Sequence, residues 1–256
     1  MLAIIGNAGL FEHLPGEIVR RETSRTAFGE PSSLLFFAEV AGHTVLLIER
    51  HGRDRRIPPH AVNDQANLLA LYHHGVKRIL SVCSMYSLTP LTHPEISPGD
   101  LCLPDQLIDY TWGRASTFFE SADAHVVDFA EPYDAALRAS AIQAASQAGV
   151  KLLAEGVYAI TQGPRLPTRG EVKRLGQDGA HLVGMSGMPE AILARELELA
   201  YATLGVVTGY AAGCGNDGSA GKGRGDDAKP SRQTVPGELR NMQEAVWKLI
   251  EGLASA

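Results

Sequence analysis

The sequence predicts a three-layer α/β/α fold, a central mixed β-sheet with helices on both faces, built as one domain over residues 1–256. Three observations carry this. Short apolar strands alternate with helical stretches along the chain. Several strands are apolar throughout rather than at every second residue, as strands covered on both faces must be. With 256 residues and 45% hydrophobic content, the chain can bury one large core.

The elements follow in order. Leu2 to Ile5 is an apolar run stopped at Gly6, a first strand. Leu34 to Val40 and Thr44 to Glu49 read as two strands around a turn at Gly42. From Ala61 to His74, Val62, Ala66, Leu69 and Ala70 recur at helical spacing, and Gly75 supplies the C-terminal stop. Arg78 to Met85 and Leu101 to Tyr110 are strands; Asp134 to Ala148 is an alanine-rich helix closed by Gly149. Gly156 to Thr161 is a strand. The strand Leu182 to Met185 lies between helices Thr168 to Leu175 and Pro189 to Glu196. Leu204 to Thr208 is the last core strand, and Glu238 to Leu253 is an amphipathic helix. Between them, Gly215 to Gly237 holds six glycines and almost no apolar residues, so it predicts a mobile loop. A bare linker and a lid over a substrate are its two readings.

Charge and composition narrow the function. A net charge of -6 gives no basic field for a nucleic-acid backbone, while an anionic small molecule needs only a local site. Cys83, Cys102 and Cys214 are widely spaced and odd in number, which argues against a disulfide framework and for reduced thiols in a cytoplasmic protein. The N-terminus lacks the basic and long apolar segments of a signal peptide, and no run is long enough for a transmembrane helix. No HExxH, paired-His or CxxC pattern points to a metal, and no Gly-x-Ser-x-Gly elbow to a serine hydrolase.

Three strand ends carry possible ligand chemistry. Gly6-Asn7-Ala8-Gly9 follows the first strand, where glycines let backbone N–H groups approach an anion. Arg50-His51-Gly52-Arg53 ends another strand, where open α/β sheets place ligands; Arg offers a fork of donors to phosphate and His can carry a proton. Gly184-Met185-Ser186-Gly187-Met188-Pro189-Glu190 ends a third and opens a helix, where Ser186 either caps or binds an anion. Each residue also has a plain structural use: Arg50 in a surface ion pair, Met185 and Met188 in core packing.

Taken with Phe28-Gly29-Glu30-Pro31-Ser32, Asn63-Asp64-Gln65-Ala66-Asn67, Pro98-Gly99-Asp100, Asp105 to Asp109, Ala130-Glu131-Pro132 and Gln162-Gly163-Pro164-Arg165, these segments resemble the methylthioadenosine and methylthioinosine phosphorylases of the purine nucleoside phosphorylase superfamily. The order agrees along nearly the whole chain. The resemblance implies a nucleoside phosphorylase-type fold, assembly as a homotrimer, and phosphorolysis of a 5′-modified purine nucleoside, methylthioinosine-like, to free base and sugar 1-phosphate. Inorganic phosphate is then a co-substrate and no other cofactor is expected. The implied phosphate set is Arg50, His51, Ser84, Ser186 and the loop at Ala8. Met185 would lie against the sugar, with Tyr86, Pro167, Gly209 and Ala211 at the substrate; no catalytic residue is assigned. The segment His125 to Tyr133 would contribute to subunit contacts.

Four positions depart from the family pattern. Ala8 stands where the family has Thr or Ser. Ser84-Met85-Tyr86-Ser87 places a tyrosine where the family has glycine. Gly209 replaces the Asp or Asn that contacts the base, and Pro167 replaces the Glu of 6-oxopurine enzymes. Both usual polar hooks for the base are missing, so the base is held by other means. Two further readings stay open: a relative with an altered substrate or reaction, and a non-catalytic protein that binds nucleoside or anion.

Overall fold

The computed structural model describes residues 1–92, 95–119, 126–214 and 236–256. Strand β1 (Leu2–Gly6) is buried at every position. Helix α1 (Ala8–Phe11) and strand β2 (Glu17–Glu22) lead to the hairpin of β3 (Leu35–Val40) and β4 (His43–Glu49). Ala41 and Gly42 turn the hairpin with φ of 51° and 78°, the positive values that match a tight turn to strand twist. Helix α2 (Asp64–His73) is capped by Asn63, whose side chain accepts from the Ala66 N–H at 3.1 Å. Then come β5 (Arg78–Ser87), β6 (Leu101–Cys102), β7 (Gln106–Tyr110), α3 (Ala135–Gln147), β8 (Leu152–Leu153) and β9 (Val157–Thr161). The chain continues through α4 (Arg169–Gln177), β10 (Leu182–Gly184), α5 (Glu190–Glu196), β11 (Ala200–Tyr210) and α6 (Pro236–Ser255). Thr168 and Glu171 form a full capping box at the start of α4.

The described strands form one mixed sheet in the order β2-β3-β4-β1-β5-β10-β9-β7, with β11 pairing β5 and β6, and β8 pairing β6. Successive residues of β1 point to opposite faces, and the two apolar clusters sort accordingly. Ala3 and Ile5 join the cluster containing Leu68 and Leu71 of α2 and Ala191 and Leu193 of α5. Leu2 and Ile4 join the cluster containing Leu137 and Ala141 of α3 and Trp247 and Ile250 of α6. The sheet is therefore sandwiched between two helical layers, as predicted.

Some details differ from expectation. The run Leu101 to Tyr110 is two strands, because Pro104 lacks the N–H needed to continue a ladder; β6 pairs β11 and β7 pairs β9. The last core strand is longer, Ala200–Tyr210, with a register shift between Val207 and Gly209. Strand β2 escaped the apolar pattern because it is an edge strand of mostly charged residues; Arg20 lies 3.7 Å from the centroid of the Phe37 ring. Of the predicted glycine-rich loop 215–237, residues 215–235 lie outside the described residues, and the last two belong to α6.

Candidate functional site

The site sits at a break in the sheet. Strand β5 pairs β1 only as far as Ser81, opposite Ile5. On that side it next meets β10, antiparallel, at Tyr86 opposite Val183. Between these points the edge of β5 has no strand beside it, and the ends of β1, β4 and β10 converge on it. A cavity of about 300 Å³ opens there, a size suited to a small ligand. It is lined by Val82, Ser84 and Tyr86 at alternate positions of β5, by Arg50 and His51 after β4, and by Met185 and Ser186 after β10. Asn7, Arg55, Thr161, Leu166 and Pro167 close it. Seven residues nominated from sequence thus meet at one place: Arg50, His51, Ser84, Tyr86, Pro167, Met185 and Ser186.

Of the other nominated residues, Gly209 and Ala211 are not among the lining residues of this cavity. Ala8 opens α1, while its neighbour Asn7 faces the space and caps α1 by accepting from the Leu10 N–H at 3.0 Å. Gly209 is buried in β11 opposite Tyr86. Ala211 is 4% exposed and packs in an apolar cluster with Leu88, Ala159 and Val183, against which Tyr86 also leans. The tyrosine at position 86 thus belongs both to this cluster and to the cavity wall.

Arg50 is the most constrained group of the site. Its backbone N–H donates to Gly6 O at 2.8 Å, continuing the β1–β4 pairing. Its guanidinium fills the break in the sheet, donating from Nη1 to Val82 O at 3.0 Å and from Nη2 to Ile5 O at 3.3 Å and Ser81 Oγ at 2.7 Å. Nε and Nη2 both donate to Glu190. The pair is buried, at 3% and 1% side-chain exposure. Burial opposes both charges. At Arg50 the negative groups around it, Glu190 among them, outweigh burial and raise the pKa, so the side chain stays charged. At Glu190 the Arg50 charge, with hydrogen bonds from Arg50 and from the hydroxyls of Ser81 and Tyr201, outweighs burial and lowers the pKa. Of the five Arg50 hydrogens, one on Nη1 has no acceptor among the described residues. Arg50 therefore brings a fixed, partly neutralised cation with a single hydrogen to spare, rather than an open fork.

His51 Nδ1 lies 3.0 Å from Ile57 O. A carbonyl only accepts, so Nδ1 carries the hydrogen and Nε2 of the neutral ring is an acceptor. Burial, and then the Arg50 charge, lower its pKa from the ordinary value, which favours that neutral form. Met185 is set by Gly163, which has φ +66° and so little room that an added Cβ would lie 2.7 Å from Met185 Sδ. Glycine is required there on both counts.

Glu190 and Arg114 escaped sequence reasoning, as did the cavity-lining Arg55, Thr161 and Leu166. Glu190 lay in a recognised motif but read as a helix opening; a carboxylate in an apolar helix was the signal that it needed a buried cation. Arg114 gave no signal. From an otherwise irregular segment it donates to Gln162 O at 2.7 Å, Met185 O at 3.1 Å, Met188 O at 2.6 Å and Gln162 Oε1 at 3.2 Å, tying the end of β9 to the loop after β10. Among the described residues, no group of three or more His, Cys, Asp or Glu side chains converges to hold a metal, and no helix is long and apolar enough to cross a membrane.

A mixed sheet between two helical layers, with an Arg-His pair and a Met-Ser pair meeting at a break in that sheet, defines the architecture of a nucleoside phosphorylase. The chain belongs to the Phosphorylase superfamily, whose family model matches residues 2–251. It is 45% identical over 217 residues to a probable S-methyl-5′-thioinosine phosphorylase of Xanthomonas campestris pv. campestris, covering 84% of this chain and 85% of the relative. It is 40% identical over 220 residues to the 6-oxopurine nucleoside phosphorylase of Pyrococcus furiosus, covering 83% and 80%. Among solved structures, a methylthioadenosine phosphorylase from an antarctic soil metagenomic library matches with TM-score 0.86 and 32% identity, over 99% of this chain and 85% of that one.

Proposed function

We infer that the chain is a purine nucleoside phosphorylase acting on a 5′-methylthioinosine-like nucleoside. The observation that carries this is the cavity at the sheet break, which gathers Arg50, His51, Ser84, Met185 and Ser186 in a chain of this family. Phosphate lies at the inner end. There it takes the spare Nη1 hydrogen of Arg50 and the hydroxyls of Ser84 and Ser186, and the neutral His51 accepts a hydrogen from its protonated oxygen. The sugar rests on Met185. As the C1′–N9 bond breaks, its electron pair leaves with the base and C1′ becomes oxocarbenium-like. Phosphate, already charged and placed, stabilises C1′ and then forms the new C1′–O bond. The protein contributes position and electrostatics, so no covalent enzyme intermediate is needed. Phosphate is the one co-substrate, and no further cofactor enters.

The working form is a homotrimer in the cytoplasm. The thiols at Cys83, Cys102 and Cys214 are buried and unbridged, which suits a reducing compartment. Val126 is 93% exposed at the start of the segment expected to meet a neighbouring subunit, and such a residue gains by being covered. The net charge of -6 leaves a nucleic-acid partner without electrostatic support.

The test is base release from 5′-methylthioinosine, 5′-methylthioadenosine, inosine and adenosine, with and without phosphate. Release of base that requires phosphate, together with a sugar 1-phosphate product, is expected. Release independent of phosphate would make the protein a hydrolase, and no release from any purine nucleoside would leave a binding protein.

A further inference from the structure

A second cavity, of about 290 Å³, adjoins the first. Thr161 and Pro167 line both, so they form the wall between them. Tyr110, Trp112 and Gln162 also line the second cavity. Trp112 is 74% exposed, an unusual state for so large an apolar side chain. Gln162 is oriented by its neighbours. Its Oε1 accepts from the Trp112 N–H at 3.1 Å and from Arg114 Nε at 3.2 Å. Both partners are donors, which fixes Oε1 as the acceptor and leaves the amide NH2 without an acceptor among the described residues. The second cavity therefore offers a flat aromatic surface beside a pre-positioned, unused donor.

On the reading that the first cavity holds a nucleoside, a base seated at its Pro167 side meets a side chain that offers no hydrogen bond. Pro167 also lines the second cavity. We propose that this second cavity is a substrate subsite that receives a planar substituent carried on the six-membered ring of the purine, which stacks on Trp112 while the Gln162 amide donates to an acceptor on it. The preferred substrate class is thus a base-modified purine nucleoside. This inference rests on the phosphorolysis reading but can fail separately from it. Stacking on an exposed tryptophan supplies recognition that a bare purine, ending at Pro167, cannot use.

The test compares N6-benzyladenosine with adenosine at saturating phosphate. The expected result is a kcat/KM ratio of about tenfold or more in favour of the benzyl compound, falling towards unity in Trp112→Ala. A ratio at or below one in the parent, or one unchanged in Trp112→Ala, with adenosine still turned over, would overturn the subsite and leave phosphorolysis standing. If neither adenosine compound releases base, 5′-methylthioinosine with phosphate decides phosphorolysis, and binding decides the subsite. The chain has two tryptophans, and Trp247 is 2% exposed with Nε1 donating to Leu10 O at 2.9 Å. Saturable quenching of the solvent-exposed emission by N6-benzyladenosine, absent with adenosine and lost in Trp112→Ala, is then expected. No quenching at any concentration would refute the proposal.

Discussion

Replacing Glu190 by leucine separates what holds Arg50 from what Arg50 does. The Glu190 carboxylate accepts from Nε and Nη2 of Arg50, from Ser81 Oγ at 2.7 Å and from Tyr201 OH at 2.9 Å. Its loss strands a cation that is 3% exposed. Removing one partner of a buried ion pair destabilises by about 3–5 kcal/mol. Here Val82 O and Ile5 O continue to accept from the guanidinium, which places the effect near the lower end, about 3 kcal/mol. With a urea slope of about 3 kcal/mol/M for a chain of this size, the midpoint falls by about 1 M at fixed protein concentration. Arg50→Met strands the carboxylate instead and falls as far. The double variant Arg50→Met/Glu190→Leu leaves no unpaired charge and recovers most of the loss, while both variants lacking Arg50 bind phosphate about tenfold more weakly or worse. Urea titrations and phosphate saturation curves on the four proteins read this directly. A shift of less than about 0.3 M in either single variant would refute the ion-pair reasoning. Parental phosphate saturation in the double variant would remove Arg50 from the phosphate site.

Three further outcomes are expected. Burial and the Arg50 charge hold the His51 pKa below its ordinary 6.5, so the stability tied to neutral His51 is full above that value and declines as pH falls from it towards the folded-state pKa. His51→Gln should flatten that part of the urea-midpoint profile, and a profile parallel to the parent would show that His51 does not titrate as described. Because Gly209 is buried opposite Tyr86, Gly209→Asn alone should lower stability without raising turnover of inosine. Combined with Tyr86→Gly, which removes the side chain that lies between position 209 and the cavity, it should raise the inosine-to-adenosine kcat/KM ratio about tenfold, and a gain from the single substitution would show that Tyr86 does not screen position 209. Light scattering should give about three times 27.3 kDa for the parent and a shift towards the monomer for Val126→Glu, whereas a monomeric parent would end the trimer reading.

The layered fold was legible because apolar runs and their glycine stops are local signals. The register within β1, with Ile4 and Ile5 facing different helical layers, follows once both faces are known to be covered. The gathering of Arg50, His51, Met185 and Ser186 was legible because all lie just beyond strand ends. The break beside β5 was not, since it depends on where β1 stops and β10 begins, a matter of pairing rather than pattern. The same break decides the character of Arg50. The sequence offers an arginine with five donors, whereas the fold gives four of them to Ile5, Ser81, Val82 and Glu190. Arg114 stayed hidden because its acceptors are mostly backbone carbonyls, to which any sequence contributes equally.

The two ends of the cavity are built differently, and two of the four departures from the family pattern, Tyr86 and Pro167, line one of them. The inner end is framed by the ladder of β1, β4 and β5 and by a buried ion pair, so a change there disturbs the sheet itself. The outer end is framed by side chains, Tyr86 and Pro167, and by the segment after β9 that Arg114 pins through main-chain carbonyls. Side chains there can be exchanged without altering a strand pairing. A change at Tyr86 or Pro167 therefore alters what the cavity admits while leaving the frame around Arg50 in place. A loss of catalysis by drift would not be expected to keep Glu190 seated on Arg50, because that pair destabilises the fold as soon as either partner is lost alone. Its retention does not by itself require turnover, since stability alone would preserve it. The discriminating residues are Ser84 and Ser186, which line the cavity without taking part in the pair: substitution of either by alanine should weaken phosphate saturation with little change in the urea midpoint, and an unchanged saturation curve in both would leave the cavity without its phosphate role.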